Sequence, residues 1–354
     1  MNDIMKPFGI VIISAMLIGL FNFTNYAETA NLIGMCAALL FFTLFIHELG
    51  HVVFGIWSGY KFNYVTVGPI TIEKTDRLRI SVNDSWFSFG GVSNCTPLAK
   101  DLETIARQHK WYAAGGPIFS VVVGMISLLT GEFMNIDMVY YFGIFNLSVF
   151  VLTILPYQGS LKSDGRILWE LWRGGKHSDE FLISLLLIKE MMSPLHPRDW
   201  SKDLIRQAKT LEPTIDNISV AHILFYYTLV TKNYDTASNL IEPFKQIPIT
   251  KKNKFTLQFI NQIKQIDMVV NKEEDKEQFD RLHRLMNSFE PISYKRSEAI
   301  RAKLNGDNEQ VRIQLSEVMK EIEKGKGQFG FYYAEEQLSI VLTSAMQPEL
   351  EQMM

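Results

Sequence analysis

The sequence predicts a mainly α-helical protein in two parts. A polytopic transmembrane core of about four spans carries a small β-hairpin at the membrane surface, and a soluble α-helical domain follows. Three observations carry this prediction. Every bilayer-length apolar run lies before Gln158, whereas after it charged residues recur every few positions. Within the first part, residues 58–98 change to alternating polar and apolar residues, the period of a half-buried strand. The overall composition, 47% hydrophobic with a formal charge of -3, is the average of these unlike halves. The expected division is a membrane core over residues 1–165 and a cytoplasmic helical domain over 166–354.

The four spans are expected at about residues 7–22, 31–57, 111–130 and 138–157. The first could be a signal peptide or an uncleaved anchor; Asn25 and Tyr26 make a poor small-residue cleavage site, so an anchor is expected. The second is long enough to cross the hydrocarbon core, which needs about 20 apolar residues. Phe62–Ile72 and Leu78–Val82 then read as two strands joined by the turn-prone segment from Glu73 to Arg77, and Gly90-Gly91 follows. This hairpin either rests on the membrane surface or offers an open edge to an extended peptide. The third span opens with Ala113-Ala-Gly-Gly-Pro117, small residues that let helix backbones approach closely within a bilayer. The fourth holds Asn146 and ends near Pro156, before a polar loop that closes on Asp164-Gly165.

Lysine and arginine prefer the cytoplasmic side of a membrane. Residues 24–30 and 131–137 contain neither, whereas Lys6, the segment from Lys61 to Lys110 and the region from Lys162 onward are basic. Four spans with both termini in the cytoplasm satisfy this pattern. The second and fourth spans then run in the same direction, which brings the end of one and the Asp164 loop to similar depth. The expected location is a cell membrane, of bacterial type.

Beyond Arg166, Phe181–Met192 is too short to span and reads as a packed helix ended by Pro194 and Pro197. Helical hairpins are expected at Val220–Phe244 and Ser297–Lys324, with a middle pair around Glu273-Glu274-Asp275. The turn segments Lys232–Ala237 and Gly306–Val311 align, a pattern similar to degenerate tetratricopeptide repeats. Such a tail could dock a protein partner. Near-neutral charge without a basic patch excludes nucleic acid as an expected partner. Cys36 and Cys95 are far apart and lack C-x-x-C spacing, so neither a disulfide framework nor a cysteine metal site is expected.

The chemistry concentrates in His47-Glu48-Leu49-Gly50-His51, an H-E-x-x-H motif inside the second span. Residues i and i+4 share a helix face, so both histidines can bind one Zn2+ ion, and Glu48 is placed to be the general base that activates water. Ionisable residues inside a bilayer-length helix are costly and mark functional sites. A catalytic zinc keeps three protein ligands and one open position. Asp164 meets the requirement for a third ligand by topology, and Gly165 would let the backbone turn sharply there. An ordinary Asp-Gly turn is the competing reading of that pair. The remaining histidines, His109, His177, His196, His222 and His283, are expected to be surface or packing residues in loops or the tail.

These residues together resemble the site-2 protease family of intramembrane zinc metalloproteases. The likeness rests on H-E-L-G-H in one span, Gly-Gly-Pro opening the next, and Asn146, Pro156 and Asp164-Gly165 at the last, and covers about the first half. It implies that His47, His51 and Asp164 are zinc ligands, that Glu48 activates water, and that the substrate is a membrane-embedded or membrane-proximal segment. Such a substrate would come from a regulatory protein, a signal-peptide remnant or a peptide precursor. Asn146, Gly90 and Gly91 are implied substrate-positioning residues, and the lipid bilayer is the working environment. Thr153 stands where the family places an asparagine three residues before the proline, and the interval from Pro156 to Asp164 is longer than usual. Two other readings compete: a catalytically silent relative acting as a scaffold through its tail, and a transporter subunit using the polar residues as an ion path. The complete H-E-x-x-H and Asp164 set argues against both.

Overall fold

The computed structural model describes residues 6–346, except 75, 84, 100, 159–161, 252, 274 and 289 and the side chain of Phe87. Lys100, Glu274 and part of the polar loop before Lys162 therefore lie outside the described residues. The chain forms two compact units, Met1–Ser178 and Asp179–Met354.

The first unit opens with α1 (Pro7–Phe21) and α2 (Ala27–Ser58). After a four-stranded sheet come α3 (Leu102–Met134), α4 (Asp137–Ile154), α5 (Asp164–Arg173) and the start of α6 (Lys176–Met191). Among the described residues three helices, α2, α3 and α4, are long and apolar enough to cross a membrane. The 15 residues of α1 form a shorter apolar helix. At 1.5 Å per residue it reaches about 22 Å, less than a hydrocarbon core of about 30 Å. Of the four expected spans, three are thus bilayer-length helices and the first falls short of that length.

The third span begins earlier than expected. Asp101 caps α3 by accepting from the Thr104 amide at 2.8 Å, so helix covers Glu103, Arg107 and Lys110 ahead of the apolar run. The sheet is also larger than the expected hairpin. Its strands β1 (Tyr60–Val67), β2 (Ile70–Lys74), β3 (Leu78–Val82) and β4 (Val92–Pro97) are antiparallel in the order β3-β2-β1-β4. Phe62–Ile72 is two strands rather than one because Gly68, at φ 55°, and Pro69 turn the chain between them. Val65 and Val67 of β1 pack with Val52, Phe41, Leu44 and Phe45 of α2, which fixes the sheet against the end of α2 that carries the histidines.

Glycines set the helix spacing in this unit. A Cβ on Gly50 would lie 2.3 Å from the Gly115 carbonyl oxygen, and one on Gly115 equally close to that of Gly50. The backbones of α2 and α3 therefore touch, as small-residue contacts allow in membranes. Gly124, Gly131 and Gly143 perform the same service where α3 meets α4.

The second unit continues with α7 (Lys202–Ala208), α8 (Ile218–Thr231), α9 (Tyr234–Leu240) and α10 (Glu242–Lys245). It is completed by α11 (Gln258–Val270), α12 (Lys276–His283), α13 (Pro291–Leu304), α14 (Asn308–Gly325) and α15 (Tyr332–Met346). The turns that align in the sequence are helix N-caps. Asn233 accepts from the Thr236 amide at 2.9 Å and Asp307 from that of Gln310 at 3.0 Å. At the core, the fully buried Arg296 donates to the Glu335 carbonyl at 2.7 Å and to Ser339 Oγ at 3.0 Å, and pairs with the Glu335 carboxylate. Tyr226 Oη donates to the same carboxylate. Glu335→Ala leaves a buried guanidinium without its counter-ion. The expected loss is about 3–5 kcal/mol, read as a lower thermal midpoint of the full chain in detergent.

Candidate metal centre

The site is built from two helices that are far apart in sequence. His47, Glu48 and His51 lie on the buried face of α2, and Asp164 is the first residue of α5. The Nε2 atoms of the two histidines are 3.2 Å apart, and Asp164 Oδ2 is 3.2 Å from one and 3.4 Å from the other. His47 and His51 are 4% and 6% exposed.

This triangle fits a zinc ion. Zinc–nitrogen and zinc–oxygen bonds of about 2.0–2.1 Å in a tetrahedron put neighbouring ligand atoms about 3.3 Å apart, which is the spacing found. The outward nitrogens are already engaged. His51 Nδ1 lies 2.7 Å from the Tyr112 carbonyl oxygen, which can only accept, so Nδ1 carries the proton and Nε2 presents a lone pair. His47 Nδ1 is 3.1 Å from Ser120 Oγ, and both atoms are buried. Such outer partners orient metal-binding imidazoles. Ser120→Ala should therefore weaken metal binding about 10- to 100-fold, as read by chelator competition.

Gly116 makes room for the rings. A Cβ there would come within 2.4 Å of His51 Nε2 and 2.7 Å of His47 Nε2. Gly165 makes room for α5, since a Cβ on it would sit 1.8 Å from the Ile154 carbonyl oxygen at the end of α4. Gly91, at φ 110°, lies over Glu48, its Cβ position 2.8 Å from Oε1. Gly90 beside it faces open space. Asn146 is fully buried on α4, donating to the Phe142 carbonyl at 2.9 Å and to Thr43 Oγ1 at 3.4 Å, one helical turn before His47. Its Oδ1 has no protein partner among the described residues. Thr153 spends its hydroxyl on the Phe150 carbonyl of its own helix at 3.4 Å.

His109 is neither in a loop nor at the surface. The early start of α3 places it within the helix, buried, with Nδ1 2.9 Å from Tyr60 Oη and its ring against Tyr112. Nothing in the sequence marks Ser120 or the Tyr112 carbonyl, since a lone hydroxyl and a backbone atom belong to no motif. Gly116 was visible only as one small residue in a packing run.

Three helices long and apolar enough to cross a membrane, with a largely buried His-His-carboxylate group that could hold a metal, fit an integral membrane protein with a candidate metal centre. The model of peptidase family M50 matches residues 35–325, and the chain belongs to that family, the site-2 protease family. The match extends well into the second unit, beyond the half of the chain on which the sequence resemblance rests. No curated protein and no solved structure matches the chain. Family membership and the His47, His51 and Asp164 group together support a zinc-dependent intramembrane metallopeptidase in general terms.

Proposed function

We propose that the protein is an active intramembrane endopeptidase in which His47, His51 and Asp164 hold one Zn2+ ion and Glu48 is the general base. The observation that carries this reading is the triangle of two Nε2 atoms and Oδ2, with sides of 3.2–3.4 Å and the outer nitrogens already engaged. Zinc bound there supplies Lewis-acid chemistry, polarising the scissile carbonyl and lowering the pKa of water. Glu48 accepts the proton of the attacking water at its carboxylate and delivers it to the departing amide nitrogen. The burial of Glu48 beneath Gly91 keeps bulk water from competing for that proton.

The substrate is a membrane-embedded or membrane-proximal segment of a regulatory protein, signal-peptide remnant or peptide precursor. A helical segment hides its amides, so it must unwind before the cut, and helix-destabilising residues near the cleavage point favour that. The open space at Gly90 and the close approach of Gly91 to Glu48 suit an extended backbone passing over the base. Asn146, with an unpartnered amide oxygen, positions that backbone. With α1 crossing as a short fourth span, both termini lie in the cytoplasm of a cell of bacterial type. The tail, read as degenerate tetratricopeptide-like hairpins, docks a protein partner.

The test is metal content together with cleavage. Wild-type protein should purify with about one zinc per chain, and His47→Ala should lose it while a membrane-bound precursor accumulates in cells that carry the variant. Wild-type protein without zinc, or a variant that retains it and leaves the membrane peptides unchanged, would overturn the reading.

A further inference from the structure

The helix that carries Asp164 has two unlike faces. On the inner face of α5, Leu171 is buried and the buried Glu170 is held by Lys162 and Arg166 at 2.7 Å each, while Gly165, at the first turn of the other side, packs against the end of α4. On the outer face, Trp172 is 83% exposed and Trp169 44%, and the Arg173 guanidinium lies 4.4 Å from the centre of the Trp169 ring. Two indoles and a cation on one side of a 10-residue helix thus stand exposed or only partly covered. An indole is suited to a boundary, because its body is apolar and its N–H needs a polar partner.

The surroundings say which boundary this is. Asp164 begins α5 and touches both α2 histidines, and α5 rises about 15 Å over its length. Its outer face is therefore tied to the ends of the bilayer-length helices. At the same ends, other large side chains also point outward: Trp57 in the last turn of α2, Trp111 on α3, and Leu155 and Tyr157 just after α4. Trp and Tyr concentrate where a membrane meets water, and basic residues reach the lipid phosphates there.

We propose that the outer face of α5 is seated in the lipid headgroup layer, with Trp169 and Trp172 at the boundary of the acyl chains and Arg173 on lipid phosphate. The bilayer then supports the outer side of the helix whose first residue is Asp164, and sets the depth of that carboxylate. The proposal rests on the membrane placement of α2–α4 and not on bound zinc, so either can fail without the other.

The test uses the full chain in vesicles of mixed zwitterionic and anionic phospholipid. In a Cys36→Ala/Cys95→Ala background, Trp169→Cys and Trp172→Cys proteins are labelled with a nitroxide, and collisions with oxygen and with a water-soluble nickel complex are compared. Both labels should meet oxygen more often than nickel, as expected at the boundary of the acyl chains. Greater access to nickel at both positions would place the face in water, and low access to both reagents would place it against protein; either overturns the proposal. A second measurement spares the cysteine changes. Vesicles containing brominated lipid should quench the tryptophan emission of the native chain more than that of Trp169→Phe/Trp172→Phe, and equal quenching would also overturn it.

Discussion

Glu48→Gln is expected to lower the cleavage rate by about 10²- to 10⁴-fold while zinc content stays at the wild-type level. The substitution preserves the size and planarity of the side chain, so the close approach to Gly91 and the packing of α2 remain. An amide, however, cannot take up a proton as a carboxylate does. Glu48 is outside the group of ligand atoms, which comprises His47, His51 and Asp164, so the ion should be retained. Turnover of a membrane-reconstituted substrate and metal content should be measured on the same preparation. Full activity would remove Glu48 from the mechanism, and loss of zinc would make it a ligand. Comparing membrane peptides in cells with the wild type and this variant should also reveal the substrate, as the precursor that accumulates.

Gly165→Ala is expected to empty the metal centre without altering any ligand. The added Cβ would lie 1.8 Å from the Ile154 carbonyl oxygen, a backbone atom that cannot rotate aside. The start of α5 must then move by more than about 1 Å, whereas metal–ligand distances tolerate about 0.2 Å. Asp164 is the first residue of that helix and moves with it. Zinc affinity should fall by about 100-fold or more, measured by chelator competition on protein that still inserts into membranes. Gly19→Ala makes the same chemical change on α1 where nothing lies within 4 Å, and it should leave affinity unchanged. Wild-type affinity in Gly165→Ala would mean that the contact between α4 and α5 does not place the carboxylate.

The two variants probe different kinds of information. Glu48 is legible from the sequence because a helix fixes the relation of residues 47, 48 and 51 by itself, whatever surrounds it. Asp164 could be reached only by topology, through the common direction of the second and fourth spans. The distances that make it a candidate ligand depend on Gly165 and the end of α4. Ser120, Tyr112 and Gly116 come from α3, and nothing in their own segment marks them as neighbours of an imidazole.

The fold divides in the same way. Apolar runs longer than the hydrocarbon core located α2, α3 and α4, because burial in lipid is a local property of composition and length. The alignment of Lys232–Ala237 with Gly306–Val311 reflected shared N-caps, which are also local. The start of α3 was hidden because its first turns carry charges on an amphipathic helix outside the apolar run. β4 was hidden because Val92–Pro97 alternates weakly and is a strand by virtue of pairing with β1.

By itself, then, the sequence determined two imidazoles and a carboxylate on one helix face, the bilayer-length helices and the change to a helical second unit. Only the tertiary structure decided that Asp164 meets those imidazoles, that Tyr112 and Ser120 engage their outer nitrogens, and that Gly91 lies over Glu48. The physical reason is that helix periodicity and lipid burial act over a few residues, whereas a metal site depends on close backbone contacts between helices. Those contacts exist here because Gly50, Gly115, Gly116 and Gly165 have no side chain to prevent them.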